Sequence, residues 1–142
     1  MRFLVTGVKG QLGHDVVKEL YSRGFNDVLE YDIEQMDITN PRIVEQCIVG
    51  NEPDIVIHCA AYTQVDKAED NEELARKINY EGTKNIAEMT ELIGSKLIYI
   101  STDYVFGGDL DLSKAYKEDD EKSLLHLMEL QNYMVSKEFK II

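Results

Sequence analysis

The sequence predicts an α/β fold in which a parallel sheet carries helices on both faces. Three observations predict it: short apolar runs alternate with helical stripes over roughly the first hundred residues, the apolar runs are continuous, and a glycine-rich turn joins the first run to the first stripe. Strand–helix–strand units with short connections form right-handed crossovers, so neighbouring strands run parallel. We expect a Rossmann-like, doubly wound parallel sheet that is truncated.

The first three elements fall within residues 2–32. "RFLVTG" is a short apolar run ending in Gly7, as is typical of a buried parallel strand. A helical stripe follows over residues 11–23, and Gly24 is expected to end that helix. "DVLEYD", residues 27–32, predicts the second strand.

The later elements are placed by capping residues and apolar runs. Asn40 and Pro41 suit the N-cap and the first turn of a second helix, which we expect to end at Gly50. The remaining elements are a third strand, a long helix and a fourth strand, expected over residues 54–61 ("DIVIHCAA"), from near Asn71 to about Ile93, and over residues 96–102 ("KLIYIST").

Composition and charge limit the classes of function. The 142 residues suffice for one domain with a sizeable core. The net charge of -12 argues against nucleic acid or an anionic membrane as partner, because phosphate-rich surfaces require a basic footprint. No apolar run approaches the roughly 20 residues that span a bilayer, and we do not expect "MRFLVTG" to be a signal peptide. We expect a cytoplasmic protein in which Cys47 and Cys59 are buried, reduced thiols.

The glycine-rich segment "TGVKGQLG" predicts a phosphate-binding loop. Gly7, Gly10 and Gly13 suit a tight turn, a close approach of backbone to a pyrophosphate, and close packing of helix against strand. The N-terminus of the following helix favours phosphate groups. Asp32 ends the second strand about 20 residues on, where an acid holds a ribose hydroxyl. Because this carboxylate would repel a 2′-phosphate, NADH is favoured over NADPH.

The other polar clusters suggest no metal site. "DKAED", residues 66–70, is expected to be a solvated loop and helix start rather than a group of metal ligands. His14, His58 and His126 share no ligand spacing, and we expect them to be structural or solvent-facing.

Four segments together resemble a known family. "VTGVKGQLG", "MDIT", "DIVIHCAAYTQVDKAED" and "LIYISTDYVFGG" are similar to the dTDP-4-dehydrorhamnose reductases, a subgroup of the extended short-chain dehydrogenase/reductases. The similarity runs from Met1 to about Asp120. It implies NAD(P)H-dependent reduction of a dTDP-4-keto-6-deoxysugar in dTDP-rhamnose biosynthesis, with a nucleotide sugar as substrate.

The resemblance also implies roles for individual residues. Thr102 would be the hydroxyl of a Thr-Tyr-Lys catalytic set and would help to polarise the substrate carbonyl. The other roles follow the parts of the ligands: Gly7, Gly10, Gln11 and Leu12, next to Gly13, at the pyrophosphate; Asp32, Asp37 and Ile38 at the adenosine; Ala60, Ala61, Tyr62 and Thr63 at the nicotinamide ribose; and Val65 and Asp66 near the sugar nucleotide.

The proton donor of such a set is a tyrosine whose pKa is lowered by a lysine one helical turn away. Tyr133 and Lys137 have this spacing, but Tyr80 and Lys84 have it too, inside the long helix. The family's motif should begin near residue 128 and contains glycines, which "MELQNYMVSK" lacks. We therefore expect the catalytic pair to be missing and the chain to be an impaired enzyme.

The genetic code offers an explanation for the final segment. Read one base early, Met128-Glu129 and Met134-Val135 each encode glycine, and permitted codons restore Tyr-Gly-Val-Thr-Lys. We expect residues 1–120 to form an NAD(P)-binding domain, followed over residues 121–142 by an aberrant helical or disordered tail produced by a frameshift. The C-terminal substrate lobe of the family would then be absent.

Two alternative functions stay open. A non-catalytic dinucleotide-binding or interaction module would keep the phosphate loop but bury the apolar residues near its end in an ordered helix. A sugar-nucleotide epimerase or dehydratase relative is disfavoured by Gln11 and Leu12, because epimerases usually carry an aromatic residue after the middle glycine. If the later strands are missing, the uncovered sheet edge favours self-association.

Overall fold

The computed structural model describes residues 1–63 and 71–100. The predictions for Val65, Asp66, Thr102 and the segment 121–142 lie outside these residues. The elements, in chain order, are β1 (Phe3–Thr6), α1 (Gln11–Ser22), β2 (Val28–Tyr31), α2 (Pro41–Asn51), β3 (Ile55–His58), α3 (Glu72–Arg76), a π-helical turn (Lys77–Gly82), α4 (Thr83–Ile93) and β4 (Lys96–Tyr99).

The four strands in the described part of the chain form one parallel sheet in the order β2-β1-β3-β4. The α/β prediction is therefore confirmed. From β1 the chain first moves to one side to form β2, and then crosses to the other side to form β3. In open α/β sheets, ligands bind at the carboxyl ends of the strands where the winding direction changes in this way. The sheet thus predicts a site above the ends of β1 and β3.

The core has two layers, one on each face of the sheet. Side chains of a strand point alternately to the two faces. Phe3 and Val5 accordingly pack with Val17 and Leu20 of α1. Leu4 and Val56 face the other way, within the larger cluster that includes Val44, Ile48 and Ile86 from α2 and α4. Both faces of the sheet are covered by helices, which is the doubly wound arrangement that the continuous apolar strands indicate.

The helix boundaries follow the capping signals, with one correction. The Asn40 side chain accepts hydrogen bonds from the backbone of Arg42 and Ile43 and so caps α2 as predicted. The expected end at Gly50 is wrong, because α2 continues to Asn51. It ends at Glu52, which adopts a left-handed conformation with φ 46°, immediately before Pro53. Proline cannot continue a helix, so it sets this end more firmly than the glycine does.

The long helix expected from Asn71 to Ile93 is present, but it is not a uniform α-helix. Its N-cap residue is Asn71, and the six residues Lys77–Gly82 form a π-helical turn between α3 and α4. Gly94, with φ 70°, ends α4. π-Helical turns are rare, and they frequently lie at functional sites.

The cysteines are free thiols, but they are half-buried rather than buried as predicted. Cys47 lies on α2, and Cys59 directly follows β3, at the carboxyl ends of the strands. Over residues 1–63 and 71–100, the longest apolar helical stretch falls short of what a bilayer crossing requires.

Candidate functional site

A cavity of about 1110 Å³ opens at the carboxyl edge of the sheet. The last residue of each strand within residues 1–63 and 71–100 lines it: Thr6, Tyr31, His58 and Tyr99. The loops that follow β1, β2 and β3 complete its walls, together with α3 and the π-helical turn. The cavity therefore lies at the place that the strand order predicts.

The glycine-rich loop after β1 packs so tightly that side chains cannot replace its hydrogens. Gly7 has φ 68°, and a Cβ atom there would lie 2.8 Å from the backbone of Ala60. A Cβ atom on Gly13 would lie 2.2 Å from the carbonyl oxygen of Gly7, which is closer than real side chains approach. Gly13 thus lets α1 pack against the loop, and Gly7 lets the loop pack against the end of β3.

The N-terminus of α1 opens into the cavity. Gly10 is its N-cap residue, and Gln11, Leu12 and Gly13 of its first turn line the cavity. The first N–H groups of a helix have no partners within the helix, and the helix dipole adds partial positive charge. No acidic residue in this turn opposes an incoming anion. This part of the cavity is suited to phosphate groups.

Asp32 connects the loops after β1 and β2. Its carboxylate accepts hydrogen bonds of 2.9 Å from the backbone N–H groups of Lys9 and Ile33. The Lys9 ammonium forms an exposed ion pair with Glu34, at 2.5 Å. The hydrogen bond to Glu34 raises the pKa of Lys9, and the same bond lowers the pKa of Glu34. Asp37 also lines this end of the cavity, so the carboxylates there outnumber the Lys9 ammonium.

A chain of buried, neutral hydrogen bonds lies at the other end. The Thr6 hydroxyl accepts bonds of 3.2 Å from the backbone N–H groups of Cys59 and Ala60. Both of its lone pairs are thereby used, so its O–H donates to Nδ1 of His58, 2.7 Å away. His58 is then protonated on Nε2, which donates to the hydroxyl of Thr83 at 2.9 Å.

Burial determines the protonation of this chain. It lowers the pKa of His58 to about 4, so the imidazole is neutral at neutral pH. The His58 ring stacks on Tyr99, with ring centroids 5.7 Å apart. Burial also raises the pKa of Tyr99 to about 12, although a hydrogen bond with Thr83 lowers it in part. At neutral pH this network of hydrogen-bonded side chains is uncharged, and it holds the backbone at Cys59 and Ala60 in place.

The structure brings almost all of the sequence-predicted cofactor residues to this one cavity. Tyr62 is the exception: it does not line the cavity, and its backbone is instead hydrogen-bonded to Asn79. The predicted residues in the lining are Gly7, Gly10, Gln11, Leu12, Gly13, Asp32, Asp37, Ile38, Ala60, Ala61 and Thr63.

Sequence analysis missed Thr6, Lys9 and Asn79, and it gave His58 no partner. One signal was available for Asn79 and for Thr83, the partner of His58. Asn79 and Thr83 interrupt the apolar face of a long helix at core positions, and both are buried, with 3% and 1% of their surface exposed. Buried polar side chains require hydrogen-bond partners, so such positions predict specific contacts even before the partners are known.

Comparisons with known proteins agree with this site. Residues 1–127 match the family described as the RmlD substrate binding domain. The dTDP-4-dehydrorhamnose reductase of Mycobacterium tuberculosis is 40% identical over 122 residues, which cover 84% of this chain and 39% of that protein.

Two crystal structures of dTDP-4-dehydrorhamnose reductases superpose closely. The enzyme from Clostridium acetobutylicum has a TM-score of 0.90 at 37% identity, covering 96% of this chain and 48% of that one. The enzyme from Bacillus anthracis, solved in complex with NADP, has a TM-score of 0.89 at 40% identity, with the same coverage. The chain spans less than half the length of these relatives. Because the match extends over most of its own residues, the chain belongs to the RmlD substrate binding domain family.

Proposed function

We propose that residues 1–120 form the NAD(P)H-binding half of a dTDP-4-dehydrorhamnose reductase. The observation that carries the proposal is the convergence of the glycine-rich loop, the N-terminus of α1 and Asp32 on one cavity at the carboxyl edge of the sheet. The similarity to the Mycobacterium tuberculosis and Bacillus anthracis reductases supports the same assignment.

The residues present fit a dinucleotide. Gly10 lies in a tight turn, because a Cβ atom there would lie 3.2 Å from the carbonyl oxygen of Gly7. In this proposal the first turn of α1 holds the pyrophosphate, Asp32 accepts from the adenosine ribose, and Ala60 and Ala61 form the wall at the nicotinamide ribose. When bound, the cofactor supplies a hydride to a ketone carbon. The Thr6–His58–Thr83 chain keeps that wall in place without adding charge beside it.

We propose a preference for NADH over NADPH. The Asp32 carboxylate would repel a 2′-phosphate on the same ribose. Lys9 is the nearby cation that could offset this repulsion, but its ammonium is paired with Glu34. Asp32, Glu34 and Asp37 against the Lys9 ammonium leave this end of the cavity unfavourable to a further anion.

We propose that this chain binds the dinucleotide but reduces a dTDP-4-keto-6-deoxysugar far more slowly than its longer relatives. The predicted Thr102, Val65 and Asp66 contacts lie outside the described residues. Tyr133 and Lys137 lie beyond residue 127, where the family match ends, and this supports the prediction that they are not the family's catalytic pair.

Calorimetric titration with NADH, followed by an assay of NADH oxidation with dTDP-4-dehydrorhamnose, tests both parts. We expect saturable binding and no turnover above the reagent blank. Failure to bind NADH or NADPH would overturn the proposal. Turnover at the rate of a full-length reductase measured alongside would contradict the second part and would show that the chain supplies its own proton donor.

A non-catalytic binding module would give the same titration, so the tail must be tested separately. If residues 121–142 result from a frameshift, the coding DNA must permit the family's motif in the other frame. Sequencing this stretch decides between the two. A CAG codon at Gln131 cannot give the lysine of the family's motif in the other frame and excludes the frameshift, whereas a CAA codon is compatible with the frameshift.

A further inference from the structure

Two asparagines on the long helix bind the backbone of two different loops. Asn79 lies in the π-helical turn and contacts the loop after β3. Asn85 lies in α4 and contacts the loop after β2. Both loops line the cavity, one at each end. The helix therefore spans the site from behind and contacts both of its walls.

Asn79 holds a single residue by two hydrogen bonds. Its Oδ1 accepts from the Tyr62 N–H at 2.7 Å, and its Nδ2 donates to the Tyr62 carbonyl at 3.2 Å. The side chain is 3% exposed, so water does not compete for either bond. Two bonds to one residue fix the direction of the chain there. The neighbours of Tyr62, Ala61 and Thr63, both line the cavity.

Asn85 contacts the opposite wall. Its Nδ2 donates to the Ile38 carbonyl at 3.0 Å. Gly82 allows this approach, because a Cβ atom there would lie 2.7 Å and 2.8 Å from the Ile38 side chain. Asp37, next to Ile38, accepts hydrogen bonds from the N–H and the hydroxyl of Thr39, so the loop is ordered from both sides.

An asparagine that merely completes a helical core would bond to its own helix or to a neighbouring helix. Both of these side chains bond instead to loop backbone at the cavity. The helix changes from π to α geometry between them, and the π turn contains Asn79 and Gly82. The irregular turn thus lies where the helix must contact both loops at once.

We infer that Asn79 and Asn85 are positioning residues with divided roles, Asn79 for the nicotinamide end of the site and Asn85 for the adenine end. This inference rests on the proposed function and deepens it. Neither side chain touches the reacting atoms; each acts through the loop backbone that it holds.

The division is tested by two ligands and two matched variants. NADH occupies both ends of the site, whereas ADP occupies only the adenosine and pyrophosphate end. Asn79→Ala is expected to weaken NADH binding about tenfold and to change ADP binding less than about twofold, because a lost buried hydrogen bond acts locally. Asn85→Ala is expected to weaken both ligands by a similar factor, about fivefold.

A merely structural role would lower the affinity for both ligands equally in Asn79→Ala, and that result would overturn the inference. An Asn85→Ala variant that loses NADH but keeps ADP would overturn it as well. A thermal melt of Asn79→Ala guards against misfolding: the variant should still unfold cooperatively and still bind ADP while its NADH affinity falls.

Hydrogen exchange separates this inference from the proposed function. In the unliganded chain, the Tyr62 amide should exchange faster in Asn79→Ala and at the wild-type rate in Asn85→Ala. Unchanged protection of that amide in Asn79→Ala would overturn the contact itself. Wild-type chain that binds neither ligand would overturn the proposed function, while the Tyr62 amide would still decide whether Asn79 holds the loop.

Discussion

The two ends of the cavity are held together by opposite kinds of interaction. At the β2 end, which we define by Asp32, Lys9 and Glu34, exposed charges bond across two loops. At the β3 end, defined by Thr6, His58, Thr83 and Asn79, the groups are neutral and 1–3% exposed. One end is formed at the surface, and the other is part of the core.

The difference determines how each end responds to solution conditions. Exposed charges are screened by salt and contribute little to stability. Salt does not reach a buried network of neutral hydrogen bonds. Placing a charge in that network is costly, because the charged group is removed from water and some of the hydrogen bonds are lost. Salt should therefore act on the β2 end and acid on the β3 end.

The largest effect is expected where the two ends meet. Gly13→Ala places a Cβ atom 2.2 Å from the carbonyl oxygen of Gly7, which itself packs against Ala60. The loop must move, so we expect a loss of unfolding free energy of about 3 kcal/mol and a loss of NADH binding by about a hundredfold. Thermal melts and calorimetric titration measure the two.

Gly50→Ala is the matched control for that variant. Gly50 lies inside α2, and nothing is within 4 Å of the position that its Cβ atom would occupy. This variant should be neutral or slightly stabilising, because alanine favours helices over glycine. If Gly13→Ala behaved like Gly50→Ala, the two ends of the cavity would not depend on the contact between α1 and the loop.

The second prediction concerns acid and the β3 end. The His58 pKa is lowered from 6.5 to about 4, so between these values the unfolded chain binds a proton that the folded chain does not. Stability from this group is complete above pH 6.5 and is lost as the pH falls, by roughly 3 kcal/mol at pH 4. Carboxylates titrate in the same range, so the measured quantity is the difference from His58→Gln.

Urea unfolding of both proteins between pH 7 and pH 4 gives that difference. His58→Gln should be less stable than the wild type at pH 7 and should lose less stability on acidification. His14→Gln is the control, since His14 lies on the exposed side of α1. Parallel curves for the wild type and His58→Gln would show that His58 is not held neutral by burial.

The third prediction concerns the charge at the β2 end. Asp32→Asn keeps an acceptor for the Lys9 N–H and removes the negative charge. We expect the ratio of NADPH affinity to NADH affinity to rise about tenfold, because the repulsion of the 2′-phosphate is lost. Titrations with both cofactors measure it. An unchanged ratio would mean that Asp32 serves only to hold the loop.

The smallest effect is expected from the ion pair beside Asp32. Glu34→Gln releases Lys9, so NADPH affinity should rise about twofold to threefold at low salt, and the gain should disappear near 0.5 M NaCl. The melting temperature should not change measurably, because both side chains are exposed. Lys9→Gln is the counterpart and should lower NADPH affinity. A gain that persisted at high salt would contradict the view of this end as a surface feature.

The glycine-rich loop, Asp32 and the strands could be predicted from sequence because their signals are local, whereas Lys9 and Glu34 beside Asp32 were not predicted. The three glycines and Asp32 act through backbone geometry and a fixed position after a strand, and the structure places all four at the cavity. The apolar runs gave the strands, and Asn40 with Pro41 gave the start of α2. Each of these signals depends on residues that are close together in the chain.

The β3 end could not be predicted because its partners are distant in sequence. His58 bonds to Thr6, 52 residues earlier, and to Thr83, 25 residues later. Asn79 contacts Tyr62 from within a π-helical turn, and no local pattern marks that turn. The sequence shows that polar residues interrupt an apolar face, but the identity of their partners follows from the fold.

The position of β1 in the middle of the sheet has a consequence for synthesis on the ribosome. Phe3 pairs with Val28 on one side and with Ile55 on the other, and the strand of Ile55 pairs in turn with the strand that begins at Lys96. Among the described strands every pairing thus waits for a segment translated much later. Until β3 has been translated, β1 therefore lacks a partner on at least one side, and its exposed apolar side chains can bind chaperones during elongation.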